Sequence, residues 1–363
     1  MTPASIPLFQ LDRRAIFGPY VDLALTSGLS IAVMLALILF YIFMGSGEAA
    51  DPAGMLPKLL LLQVLLNWPH FLVSYRLLYQ RRENLSAFPM ASIGVPVLLI
   101  AICVGATLPV LGGNGLLEAN LQIAYAMWIF ASLYLAWHYT GQAWGVMMVY
   151  THLTKRHFTQ IERTIIRSGL RVLIVWHVIW GIQTLPPIPF ATWLQSDEMS
   201  VLSNVAAVVS FILGGGVLLR NAWTTPGMDL RIFGPWLAVY LWYFVLWLMP
   251  DAFVFIQLSH ALQYLVFTAR VELNRDMGDT HRQPARPAFL RTGLIYGLSI
   301  LGGLVIFYLP EVYVISPTGA PTLPALIAIA INIHHYYTDS AIWKMRNDGV
   351  RRRLFSHLGP NET

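Results

Sequence analysis

The chain has 363 residues, of which 56% are hydrophobic and only 11% are charged. Because soluble domains carry about 25% charged residues, this composition excludes a water-soluble globular protein and predicts one that is solvated mostly by lipid. The net charge of +5 does not indicate nucleic-acid binding, since the basic residues stand beside the ends of apolar segments rather than in a stripe with aromatic residues.

The predicted elements begin with a short cytoplasmic segment, residues 1–19, which lacks the pattern of a removable signal peptide. Apolar spans then recur, and we predict an all-α bundle of ten transmembrane helices that forms a single domain over residues 1–363. A cytoplasmic tail, residues 345–363, follows the last helix. The predicted spans are residues 20–45, 56–80, 90–112, 120–150, 164–184, 200–220, 232–250, 252–273, 288–310 and 321–344.

The charges between these spans predict an orientation. With the N-terminus in the cytoplasm, every basic segment falls on the cytoplasmic side, and the opposite loops contain no Lys or Arg. Those loops read GSGEAADPAG, LGGNG, QTLPPIPFATWLQSDEMS, MPD and LPEVYVISPTGAP. The positive-inside rule therefore predicts an even number of spans with both termini cytoplasmic. We expect a multi-pass protein of the bacterial inner (cytoplasmic) membrane.

Histidines inside the predicted spans are the main functional signal. Spans two, four, eight and ten all run from outside to inside, and each carries a histidine at roughly 9–18 Å from its cytoplasmic end. Ionisable residues inside a membrane usually face the bundle interior and mark a functional site. The six histidines within spans are His70, His138, His177, His260, His334 and His335.

A shared metal ion would satisfy several of these imidazoles at once. We expect His70, His138, His260 and one of the adjacent pair His334 and His335 to be its ligands. Neighbouring residues on a helix point about 100° apart, so only one of the pair is expected to bind, and the sequence leaves open which one. His177, the remaining histidine in a span, stands next to a tryptophan and is expected to be a packing residue. Since Cys103 is the only cysteine, a disulfide within the chain and a thiolate cluster are excluded.

Polar residues at helical spacing from these histidines are candidates for supporting roles. Gln142 follows His138 by four residues, and Gln263 follows His260 by three, so each pair shares a helix face. We expect these glutamines, with Asn67 near His70, to orient the ligands. Asp339, four residues after His335, is expected to fix the tautomer of that ring, to move protons or to bind the metal. An alternative is that Asp339 pairs with a cation near the cytoplasmic face.

The pattern resembles the Brp/Blh family of membrane β-carotene 15,15′-dioxygenases. One histidine stands on each of four helices, introduced by Pro69-His70 and closed by a His-aromatic-x-x-Asp segment that ends at Asp339. The residues after His70, FLVS, depart from the Pro-His-Gly-Ala-x-Asp pattern of that family. The resemblance implies one non-haem iron that cleaves a carotenoid with O₂. Carried over to this chain, its ligands would be His70, His138, His260 and His334 or His335.

These observations lead to one leading hypothesis and several rivals. The leading one is a mononuclear non-haem iron oxygenase that uses O₂ on a lipophilic substrate taken from the bilayer, such as a carotenoid, another isoprenoid or a lipid. The rivals are a haem b protein of electron transfer or assembly, a metal-handling permease and a scaffold without chemistry. The repeated histidine boxes of membrane di-iron enzymes are absent from the sequence.

Overall fold

The computed structural model describes residues 9–12, 14–44, 61–107, 120–185, 187, 192–276, 286–308, 322–344 and 348–358. Over these residues the protein is nearly all-α. In chain order the α-helices are α1 (Pro19–Leu23), α2 (Leu29–Met44), α3 (Trp68–Tyr79), α4 (Arg82–Ala87), α5 (Val95–Thr107), α6 (Leu121–Leu153), α7 (Gln160–Gln183), α8 (Asp197–Thr224), α9 (Leu230–Leu248), α10 (Phe253–Leu273), α11 (Arg286–Gly303), α12 (Leu323–Ile342) and α13 (Asp348–Phe355).

Other helical turns extend or join several of these helices. π-helical turns cover Ala24–Gly28, Gln63–Asn67, Met90–Gly94 and Leu304–Tyr308, and 3₁₀ turns cover Thr192–Gln195, Pro250–Ala252 and Asn274–Asp276. π-turns are rare and often occur at functional sites. Two of them lie next to histidine-bearing segments here, as described below.

Among the described residues, seven helical segments are long and apolar enough to cross a membrane, as expected of a multi-pass membrane protein. They are Pro19–Phe43, Met90–Thr107, Gln160–Gln183, Asp197–Thr224, Leu230–Leu248, Pro250–Leu273 and Arg286–Phe307. The other three predicted spans, residues 56–80, 120–150 and 321–344, are helical over most of their described parts but are not among the seven. Parts of several predicted spans and of the tail lie outside the described residues.

The longest helix, α6, lies at the centre of the bundle. It packs against α7, α9 and α12, and α12 in turn contacts α3 and α5. By contrast, α8 and α11 are largely exposed, as lipid-facing helices are. The four helices that carry the predicted ligands, α3, α6, α10 and α12, are therefore neighbours inside the bundle.

Local sequence signals explain where the central helices begin. The Asn120 side chain caps α6 by accepting hydrogen bonds from the backbone N–H groups of Gln122 and Ile123. Thr159 and Glu162 form a reciprocal capping box at the start of α7. These caps fix where two long helices of the bundle begin.

The N-terminal residues are held against the start of α9. A two-residue strand β1 (Phe9–Gln10) pairs in parallel with β2 (Met228–Asp229). Behind this pair, the fully buried Arg231 guanidinium binds the Asp229 carboxylate at 2.6 Å and lies 3.5 Å from Asp22. This network joins three segments that are distant in the sequence.

Candidate metal centre

His70 lies at the start of α3, and the neighbouring proline sets its surroundings. Pro69 has no backbone N–H, so the Leu65 carbonyl one turn earlier cannot receive the usual helical hydrogen bond. That carbonyl instead accepts a hydrogen bond from the Tyr296 hydroxyl on α11. At the end of the preceding π-turn, the Asn67 carbonyl is 2.7 Å from His70 Nδ1. The other ring nitrogen, Nε2, is buried and has no hydrogen-bond partner among the described residues.

Four imidazoles, one from each of four helices, converge in the interior of the bundle. Each of them offers one ring nitrogen, and these four nitrogens all lie within 4.8 Å of one another. The ring centroids of His70 and His335 are 4.5 Å apart, and so are those of His138 and His260. The Nε2 atoms of His138 and His260 approach to 2.8 Å. Since metal–nitrogen bonds are about 2.1 Å long, adjacent ligands of one ion lie roughly 3 Å apart, close to the 2.8 Å between these two Nε2 atoms.

Asp339 lies beside the four rings, as its spacing from His335 predicts. Its Oδ2 is 3.6 Å from His335 Nε2 and 3.7 Å from His138 Nε2. Its Oδ1 accepts a hydrogen bond of 2.9 Å from the Tyr264 hydroxyl. The carboxylate therefore contacts two of the imidazoles and is held in place by a third helix.

Gln142 and Gln263 lie next to the cluster and bind each other. Gln142 Nε2 donates to Gln263 Oε1 at 2.8 Å and to the His260 backbone carbonyl at 3.0 Å. Gln263 in turn donates to the Thr26 carbonyl, in the π-turn between α1 and α2. These bonds join α6 to α10 and α10 to the first span. The glutamines thus fix the helices that carry His138 and His260 rather than the imidazole rings themselves.

The structure places two other histidines of the spans outside the cluster. His334 Nε2 lies 2.7 Å from the Ala91 carbonyl of the π-turn before α5, on a different face of α12 from His335. His177 is buried between the rings of Trp180 and Tyr243, each 5.6 Å away. Of the two adjacent histidines, between which the sequence could not decide, His335 is the one that belongs to the cluster.

The buried polar atoms of the site match the needs of a bound cation. His70 Nε2, both ring nitrogens of His335 and Asp339 Oδ2 are buried without a hydrogen-bond partner among the described residues. Such atoms are costly in an apolar interior unless something satisfies them. Four neutral imidazoles and one carboxylate form a ligand set that suits iron, copper, zinc or nickel. The residues present therefore fit a single metal ion.

Aromatic side chains enclose the cluster. The Phe71 ring stacks on His335 at 4.1 Å, and the Tyr336 ring stacks on His138 at 5.1 Å. The Tyr139 ring lies 4.5 Å from His260. These rings shield the polar centre from the rest of the bundle and exclude water from much of its perimeter.

Sequence reasoning missed Tyr264, which connects the site to its surroundings. Its hydroxyl accepts hydrogen bonds from Ser74 at 2.6 Å and from Trp343 Nε1 at 2.8 Å while it donates to Asp339. The available signal was its position four residues after His260, on the same helix face.

A cavity of about 370 Å³ opens beside the cluster. His138 and Asp339 form part of its inner wall, and most of its remaining surface is apolar.

Comparisons of this chain with protein-family models, with curated proteins and with solved structures found no match. The geometry of the site therefore carries the functional argument.

Proposed function

We propose that this protein is a mononuclear non-haem iron oxygenase of the bacterial inner membrane, with ten transmembrane helices and both termini in the cytoplasm. The proposal rests on one observation: four buried imidazoles, each from a different helix, bring their ring nitrogens within 4.8 Å of one another. The resemblance of the histidine motifs to the Brp/Blh family agrees with iron and dioxygen. His70, His138, His260 and His335 would hold the ion.

The convergence favours a single ion over haem b. A haem ligated by two of the imidazoles would need a flat space between them that is as wide as the porphyrin. The other two imidazoles occupy that space, because all four rings surround one point. A metal-handling permease is less well supported, since the site offers one carboxylate, Asp339, and several aromatic rings close around it.

The proposed reaction is the oxygenation of a lipophilic substrate. A bound ferrous ion would supply coordination positions for O₂ and the electrons that activate it. The substrate takes up both oxygen atoms without external electrons, as when a C=C bond becomes two C=O groups. Alternatively, it takes up one atom while the other leaves as water, with two electrons and two protons from an external reductant.

The residues of the chain would support this chemistry in distinct ways. Asp339 holds or passes a proton at Oδ2, next to His138 and His335, and Tyr264 fixes its orientation. Gln142 and Gln263 keep the helices in register. The apolar walls hold the substrate and keep water away from reactive species.

Elemental analysis of the purified protein tests the proposal. We expect close to one iron per chain in the wild type and a large loss of iron in His138→Ala and His260→Ala. His177→Ala and His334→Ala are matched controls, since both remove an imidazole from a span outside the cluster, and they should retain iron. A strong Soret absorption band, or equal iron loss in the controls and the cluster variants, would refute a non-haem centre at this site.

Isotope labelling tests the oxygenase assignment separately. Cells that express the wild type under labelled dioxygen should form a labelled lipid that is missing from cells expressing His138→Ala. The number of labelled atoms in that product distinguishes the two stoichiometries. A lipid extract that is identical in both cells would contradict the assignment even if iron is bound.

A further inference from the structure

The cavity beside the metal centre is lined in part by positively charged side chains. The residues of α6 that line it run from Trp137 to Val149, which is about 18 Å of helix at 1.5 Å per residue. Its lining includes His138 and Asp339 of the cluster and two cations, Arg167 of α7 and Lys344 after α12. The cavity is thus mostly apolar, and both the histidine cluster and two cations contribute to its lining.

The cations lie on one side of the metal centre and come from separate segments. The Arg167 guanidinium lies over the Trp144 ring, 5.5 Å from its centroid, six residues along α6 from His138. Six residues correspond to about 9 Å of helix. Lys344 lies two residues beyond the end of α12, the helix that carries Asp339. Both cations are exposed, and neither has a carboxylate within ion-pair distance among the described residues.

A second recess adds another cation to this face. Arg171 follows Arg167 by one helical turn, and both line a smaller hollow against Trp137 and Gly141 of α6. Arg171 is also exposed, although it lies inside a segment apolar enough to cross a membrane. Arginines at such positions are costly unless they reach an anionic or aqueous partner.

Two glycines leave the cavity wall open. A Cβ added at Gly141 or Gly145 would meet no heavy atom within 4 Å, so the space beside α6 is not filled by neighbouring side chains. Both glycines line the cavity together with Trp144. The wall therefore leaves room for a chain that runs along the helix.

We propose that this cavity binds a single-chain amphiphile with an anionic head group, a carboxylate or a phosphate, and that this amphiphile is the substrate. The head group binds Arg167 and Lys344, with Arg171 beside them, and the apolar chain extends along α6 toward His138. This inference rests on the proposed oxygenase function and narrows its substrate class. It predicts that oxygen enters the chain close to the head group, since Trp144, which Arg167 overlies, is only about 9 Å along α6 from His138.

Tryptophan fluorescence provides a test that needs neither metal nor turnover. Trp137, Trp144 and Trp343 line the cavity, so a brominated chain bound there quenches their emission. In neutral detergent, a dibrominated stearate and a dibrominated stearyl phosphate, each with one chain, are compared with the corresponding neutral dibrominated alcohol. We expect saturable quenching by at least one anionic probe, with an affinity at least about tenfold above that of the alcohol, as one charge-assisted hydrogen bond provides. The probe that binds more tightly identifies the head group as carboxylate or phosphate.

Substitutions locate the binding site. The double variant R167Q/K344Q should weaken binding of the anionic probe by about tenfold or more and leave the alcohol unchanged. Arg220→Gln is the matched control, because it removes an exposed cation on α8, outside the residues that line the cavity, and should bind like the wild type. Gly141→Leu, which fills the wall, should reduce quenching by every probe.

Equal affinity for the charged and neutral probes would overturn the proposal, as would unchanged anion binding in the double variant. If either result were found while the protein still held iron and formed labelled product, the proposal of an anionic substrate would be refuted and the oxygenase proposal would stand. Conversely, if the protein bound the anionic probe but never held iron, the oxygenase proposal would fail. The cavity would then serve a different function. The two proposals therefore fail independently.

Discussion

The Tyr264 hydroxyl joins three helices beside the histidine cluster. It donates to Asp339 on α12, accepts from Ser74 on α3, and also accepts from Trp343 beyond the end of α12. Hydrogen bonds to a carboxylate contribute about 1.5–3 kcal/mol, more than bonds between neutral groups. The position of Asp339 relative to His138 and His335 therefore depends on this one hydroxyl.

We expect Tyr264→Phe to weaken retention of the metal without abolishing folding. Loss of the hydroxyl frees Asp339 and leaves Ser74 without a partner on α10, so iron should dissociate at least about tenfold faster during dialysis against a chelator. Tyr240→Phe is the matched control, because its hydroxyl is 3.0 Å from Ser210, away from the cluster. Equal rates of iron loss in the two variants would show that Tyr264 does not support the centre.

The residues of the site could be predicted from the sequence to different degrees. The convergence of histidines at one depth follows from span positions alone, because helix rise fixes depth. The choice between His334 and His335 does not, since it depends on how α12 is rotated against the π-turn that carries Ala91. For the same reason, the mutual pairing of Gln142 and Gln263 is a tertiary contact that spacing along one helix does not reveal.

At the scale of elements, the N-terminal segment is anchored by buried charge. Arg231 binds Asp229 through two nitrogens and donates to the Asp12 carbonyl, while its guanidinium lies over the Tyr150 ring at 4.8 Å. Asp22 accepts from the backbone N–H groups of residues 16–18. These contacts tie the segment before α1 to both α6 and α9.

Removing the arginine should destabilise the whole bundle. Arg231→Met leaves two buried carboxylates without their partner, a change that typically costs about 3–5 kcal/mol. We expect a clearly lower melting temperature in detergent than for the wild type. Arg220→Met removes an exposed arginine 3.7 Å from Glu162 and should melt close to the wild type, because exposed ion pairs contribute little. If both variants melted together, the buried network would have no special role in stability.

The helices could be predicted from the sequence, but the helices that carry the clustered histidines are less apolar than most of the others. Three of the four helices that carry the clustered histidines, α3, α6 and α12, are not among the seven segments identified by length and hydropathy. Histidines with glutamine, asparagine and aspartate neighbours lower the mean hydropathy of such helices, and part of the segment before α3 lies outside the described residues. The polar residues that build the site thus weaken the signal that predicts a span.

At the scale of the whole molecule, the orientation of the bundle decides which side of the membrane the cavity mouth faces. The positive-inside rule places Arg167 and Lys344 near the cytoplasmic surface. An anionic amphiphile would then arrive from the inner leaflet. This conclusion depends on both termini being cytoplasmic, which remains a prediction from charge.

Cysteine labelling across one helix tests that orientation. α7 has 24 residues and a length of about 36 Å, enough to cross the hydrocarbon core. His157 lies just before it on the predicted cytoplasmic side, and Glu198 lies past its other end on the predicted outer side; both are exposed. In intact cells, a membrane-impermeant maleimide should label Glu198→Cys at once and His157→Cys only after permeabilisation. The native Cys103 is buried and provides the unlabelled background. The reverse pattern would place the cavity mouth on the outer face, and the proposed substrate would then have to come from the outer leaflet.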